Sequence, residues 1–210
     1  MVLPEALGVF LKGIALGFSI AAPVGPIGVL VIRRSMARGF QAGLASGLGA
    51  ASADAVYGTI AAAGLTLVAD FLVRQSFWMG LLGGTFLVFL GMQIFFSRPA
   101  DPNAQPDQGS PGGDYLSTFL LTLSNPMTII AFVAILGSVG TAGNGEFRLG
   151  AFLLVLGVFS GSALWWLALS ALVGFLRARL TSQTLLWVNR AAGLVIFAFA
   201  VAILWRLFFR

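Results

Sequence analysis

The sequence predicts an all-α polytopic membrane protein, with six transmembrane helices in a 3+3 inverted repeat whose helices 1 and 4 are broken. Three observations carry this expectation. Of 210 residues, 59% are hydrophobic and 9% charged, with a mean hydropathy of +0.98; a soluble domain carries about 25% charge. One polar stretch, RPADPNAQPDQGSPGGD over residues 98–114, separates three apolar runs from three. The first run of each half is interrupted by a proline motif, Pro23-Val24-Gly25-Pro26 and Asn125-Pro126.

The runs follow in order. The first extends from Leu7 to Ile32, and the second, Gly39 to Ala69, holds one charge, Asp54. The third is Gln75 to Ser97, the fourth Tyr115 to Gly145, the fifth Leu149 to Leu176 and the sixth Thr184 to Phe209. Each reaches the ~20 residues that span about 30 Å of hydrocarbon. Ser19-Ile20-Ala21 resembles a signal-peptide cleavage site, but the preceding residues include Glu5 and no early basic side chain, which argues for a retained helix. The expected organisation is therefore a first repeat over 1–97, a linker over 98–114 and a second repeat over 115–210. Proline, glycine and acidic residues make that linker unfit for a packed core. Three crossings per half bring the second half in from the opposite side, as an inverted repeat requires.

A proline inside a helix removes a backbone hydrogen bond and costs about 3 kcal/mol or more. Lipid offers the freed groups no replacement, so broken backbone at membrane depth survives only within protein or along a cavity. Paired breaks in two halves point to a carrier's binding site. Arg33 and Asp114 border the first and fourth runs on one membrane side. Counting from them at 1.5 Å per residue sets both breaks about 10–17 Å deep, near the midplane. On this reading Pro26→Ala and Pro126→Ala restore helical bonding, gain stability and lose transport.

Asp54 is the acidic side chain well inside an apolar run, with fifteen uncharged residues on either side. A bare carboxylate at that depth costs at least ~2.5–3.5 kcal/mol, which makes it a candidate functional group by default. It can carry charge in one state and a proton in another; alternatively it serves only as a protonated partner for a neighbouring helix. Tyr57, three residues on, shares its face. Most of the 27 glycines fit close helix contact, as in Gly39-Gly43-Gly47, Gly80-Gly84 and Gly157-Gly161. Gly25 and Gly28 flank the break and can leave amides open to an anion. Ser19, Ser124 and Thr128 either rescue broken backbone or touch a ligand. Trp165 and Trp166 lie mid-run and either pack or line a cavity, whereas Trp78 and Trp205 suit the interface.

Composition excludes several chemistries. Without cysteine or histidine there is no disulfide scaffold, thiol redox chemistry, Cys/His metal site or His-dependent catalysis. The basic balance, 12 Lys and Arg against 7 Asp and Glu, comes without a patch of interleaved aromatics, so nucleic acid is not an expected partner. The arginines cluster at run ends, where they anchor and orient. Neither cofactor nor metal is expected, and no enzyme activity.

The pattern Ser19-Ile20-Ala21-Ala22-Pro23-Val24-Gly25-Pro26, Arg33, then Gly39/Gly43/Gly47 and Asp54 resembles the lysine exporter (LysE/RhtB) family. Leu121-Thr122-Leu123-Ser124-Asn125-Pro126-Met127-Thr128 is similar to that family's second-half Asn-Pro motif, and length and run pattern match throughout. The resemblance implies a bacterial inner-membrane exporter of amino acids or close derivatives, driven by an ion gradient and homodimeric. It implies that Pro23, Gly25, Pro26, Asp54, Asn125 and Pro126 are motif positions. Many members carry Lys after Asn-Pro, where this chain has Met127.

The expected site comprises Pro23, Gly25, Pro26, Gly28, Asp54, Tyr57, Asn125, Pro126, Trp165 and Trp166, with Asp54 coupling protons. Amides around Gly25 to Gly28 suit a substrate carboxylate, Asn125 completes the site and Asp54 meets the ammonium. The aromatic lining favours a neutral substrate, since no second buried carboxylate is evident for a cationic one. A metal-ion efflux carrier is the alternative, though one Asp is a poor ligand set. With Arg33, Arg34, Arg38, Arg98, Arg177, Arg179 and Arg190 against Lys12, Arg74, Arg148, Arg206 and Arg210, the positive-inside bias puts both termini in the periplasm.

Overall fold

The computed structural model describes residues 3–23, 25–62, 71, 74–97, 109–125, 128, 132, 146–177 and 181–209. Helix α1, Leu3–Ala21, stops at the first proline motif, and α2, Pro26–Arg38, restarts beyond it. Pro23 lies within this break and Pro26 opens the helix after it; neither sits in a helix interior. Pro26 is in the first turn of α2 behind the extended Gly25 cap, where a missing N–H costs no intrahelical bond. The expected gain of helical bonding in Pro26→Ala is thereby corrected: that bond has no acceptor to return to. Pro126 lies outside the described residues.

Gly39, with φ 91°, closes α2 and donates its N–H to the Ser35 carbonyl at 2.9 Å. It is the residue of positive φ among those described, so it serves the turn and not a helix contact. Helix α3, Phe40–Ala62, follows at once, and α4 spans Ser76–Phe95. Helix α5, Pro111–Leu123, begins inside the stretch read as linker, because Ser110 and Pro111 supply an N-terminal cap position and a first-turn proline. Thr128 and Phe132 are also helical. Helix α6 spans Glu146–Arg177 and α7 Ser182–Phe208, the latter capped by Thr181, whose hydroxyl accepts from the Thr184 N–H.

Among the described residues the fold is all-helical, without strands. Helices α1, α4, α6 and α7 are long and apolar enough to cross a membrane. Helices α2 and α5 have 13 residues each, short of a span. Helix α3 has the length, at 23 residues, but is built largely of Ala, Gly and Ser. Its position explains that composition, since it packs against α2, α5 and α6. Lipid sees little of it.

Small residues set the closest approaches. A Cβ on Gly17 or Gly161 would lie 2.0 Å from the Val158 carbonyl oxygen or 2.1 Å from that of Ile14, so α1 and α6 touch backbone to backbone. On the other side of α1, Leu3, Leu7, Leu11 and Phe18 are exposed, as a lipid-facing surface should be. Helices α4 and α7 meet through Gly91 and Gly193, where a Cβ on Gly193 would be 2.6 Å from the Phe95 nitrogen. Without a hydrophobic drive between helices in lipid, such backbone contact supplies the association by dispersion.

Candidate functional site

Both proline motifs border one cavity of about 70 Å³, room for a few water-sized groups. Pro23, Gly25, Pro26, Ile27 and Gly28 line it from the first break, with Ile20 and Ala21 from the end of α1. Thr122, Asn125 and Thr128 line it from the second, and α3 and α6 contribute Ala50, Asp54 and Trp166. Gly25 caps α2 without any side-chain bond, in an extended conformation. The first turn of α2 therefore presents Ile27 and Gly28, both cavity-lining, at its amide-rich end.

Asp54 is held from across the helix interface. Ser162 donates its hydroxyl to Asp54 Oδ2 at 2.7 Å, and Trp166 Nε1 donates to Ser162 Oγ at 3.1 Å. An indole nitrogen can only donate, which fixes the polarity of this chain: the serine proton points at the carboxyl. Asp54, Ser162 and Trp166 are all buried. Gly47 makes the arrangement possible, since a Cβ there would lie 2.3 Å from Trp166 Cβ.

Seven of the ten sequence-expected site residues line the cavity: Pro23, Gly25, Pro26, Gly28, Asp54, Asn125 and Trp166. Tyr57 and Trp165 are not among its lining residues. The Tyr57 hydroxyl donates to the Leu123 carbonyl and its ring stacks on Phe132, 5.6 Å between centroids, so it ties α3 to the end of α5. Trp165 meets Phe18 edge-on at 5.2 Å and braces α6 against α1. Pro126 falls outside the described residues. Thr122 and Ser162 carry no charge or break of their own to single them out in the sequence, whereas Thr128, expected either to rescue broken backbone or to touch a ligand, is among the lining residues.

One end of the cavity is followed by a charged layer. Arg34, in α2, is buried and donates to Ser46 of α3 and to Ser117 and Thr118 of α5. Its Nε stands 3.3 Å from Asp114 Oδ1, and Arg38 pairs with the same oxygen. Asp114 is a second buried carboxylate, at 4% exposure, which corrects the expectation that Asp54 has no such companion; two arginines pair with it, and it is not among the residues lining the cavity. Arg33 donates to Ser97 at 3.4 Å, so the ends of α2 and α4 and the start of α5 gather on one side.

The profile of the LysE type translocator family matches residues 18–206. The chain belongs to the LysE type translocators. It is similar to YcgF of Bacillus subtilis, named for amino acid efflux, with 28% identity over 198 residues, 92% of this chain and 93% of YcgF. It is also similar to the chemotactic transduction protein ChpE of Pseudomonas aeruginosa, with 28% identity over 174 residues, 81% of this chain and 85% of ChpE. No solved structure matches. As a LysE type translocator the chain is a transporter, not an enzyme, and a multi-pass protein of the bacterial inner membrane with a small-molecule substrate.

Proposed function

We propose that this LysE type translocator exports amino acids or close derivatives, neutral ones by preference, in exchange for protons. The observation that carries the reading is the cavity in which the first turn of α2 and the Asp54 carboxyl face a common space. A zwitterion has one charge for each: its carboxylate meets the Ile27 and Gly28 amides and Asn125, and its ammonium meets Asp54. Ser162 occupies Oδ2, so Oδ1 takes the ammonium from the cytoplasm or the proton from outside. Protonation releases the ammonium, and return of the protonated carrier completes an exchange. The naming of the relative YcgF for amino acid efflux supports that direction.

The 3+3 inverted repeat is part of the same proposal. Helix α1 packs on α6 as α5 packs on α3, α3 meets α6, and α4 meets α7. Exchanging the halves maps these pairs onto one another, which favours a two-fold relation with the cavity at its centre. For the metal-ion alternative, transition metals want clustered donors; among the described residues no three Asp, Glu, His or Cys side chains gather. The test is efflux from liposomes loaded with a panel of neutral, cationic and anionic amino acids, or with divalent cations. We expect neutral amino acids to leave faster when the outside is acidic. Efflux of the cations alone, or amino acid efflux indifferent to a proton gradient and its uncoupler, overturns the substrate or the coupling respectively.

A further inference from the structure

We propose that Arg34 and Asp114 form the closed gate between the Asp54 cavity and the membrane surface bearing Arg33 and Arg38, a reading that rests on the proposed transport function. Three helices place this layer directly above the cavity. Thr118 lies one turn before the cavity-lining Thr122 on α5, and Ser46 one turn before Ala50 on α3. Arg34 lies six residues past Gly28 on α2. At 1.5 Å per residue the layer sits about 6–9 Å from the cavity, on the way to that surface. Every solute passing between α2, α3 and α5 must cross it.

The guanidinium closes the gap by bonding to both other helices at once. Nη1 donates to Ser46 Oγ at 2.8 Å, the Asp114 carbonyl at 3.0 Å and Thr118 Oγ1 at 2.9 Å, while Nη2 reaches Ser117 Oγ at 2.9 Å. A permanent plug would be made as well, or better, by apolar side chains, because a buried ion pair loses in desolvation much of what it gains in attraction. A pair made across separate elements is instead suited to being broken and remade. Asp114 supports this: Oδ2 is buried and without a hydrogen-bond partner among the described residues. The layer thus offers an open acceptor to a passing ammonium beside an arginine that a passing carboxylate can share. A zwitterion replaces the bonds that its passage breaks.

The chain has no native cysteine, so Ala50→Cys is a single reporter in the cavity wall. Its modification by a membrane-impermeant thiol reagent is followed in vesicles of either orientation, with Arg34 and Asp114 intact, in Arg34→Gln, in Asp114→Asn and in the double variant. Ile196→Cys, at a fully buried α7 position, reports general loosening. We expect each single variant to speed labelling of Ala50→Cys about tenfold or more from the Arg33 side alone, as a shifted closed–open population requires, with the double variant no faster. Unchanged labelling in folded variants overturns the gate. So does acceleration shared by Ile196→Cys, which marks a structural role. If the neutral variants do not fold, Arg34→Lys keeps the charge and loses the fork, and wild-type labelling in it overturns the proposal too. Labelling needs no substrate: faster labelling without wild-type efflux sinks the transport reading and leaves the gate, and the reverse result sinks the gate alone.

Discussion

Ser162 and Asp54, 108 positions apart in sequence, share a 2.7 Å hydrogen bond at the α3–α6 contact. Because Trp166 donates into the serine oxygen, the serine proton is committed to the carboxyl. Asp54 is therefore an oriented group, with its Oδ2 engaged by the serine.

Asp54→Asn should abolish proton-coupled efflux while leaving membrane insertion intact. The amide is nearly isosteric, and its oxygen can still accept from Ser162, but it neither carries charge nor exchanges a proton. Ser162→Ala should reduce efflux about 10- to 100-fold, the range expected for one hydrogen bond to a charged group. Liposome efflux beside membrane expression checks both, and wild-type concentrative efflux by Asp54→Asn would make the residue structural.

Pro26→Ala should change stability by less than about 1 kcal/mol, because proline at a first helical turn is compatible with the backbone already there. The break between Ala21 and Pro26 should persist, and efflux should stay within a few-fold of wild type. Thermal unfolding in detergent, measured with efflux, decides it. A clear gain in stability with loss of transport would mean that the proline itself enforces the break.

Gly161→Val and Gly25→Ala should behave oppositely. A Cβ at Gly161 meets the Ile14 carbonyl at 2.1 Å, whereas one at Gly25 meets nothing within 4 Å. The first substitution should cost about 1–3 kcal/mol or more by overpacking and part α1 from α6. The second should leave unfolding unchanged, since φ −105° suits alanine, and adds a methyl beside the cavity. Equal melting temperatures for both variants would contradict the backbone contact.

Orientation is tested at position 105, in the stretch between the halves. With both termini periplasmic, Gln105→Cys should be labelled only after cells are permeabilised. Labelling from outside intact cells reverses the assignment, and with it the side on which the Arg34 layer lies.

What the sequence determined by itself was whatever lipid makes expensive. Long apolar runs are legible because a span needs about 20 of them, Asp54 because a charge at that depth stands out, and the proline motifs because broken backbone needs a reason. What only the tertiary structure decided was which side of each helix meets protein. Hydrocarbon is as apolar as a leucine core, so the lipid face and the packed face of a spanning helix look alike in sequence. Ser162 is one uncharged serine among many until α6 crosses α3 at Asp54. Arg34 and Asp114 read as edge charges until α2 and α5 converge and bury them together. Tyr57 shares a helix face with Asp54, yet its hydroxyl donates to the Leu123 carbonyl at the end of α5, a partner that only the packing of α3 on α5 supplies.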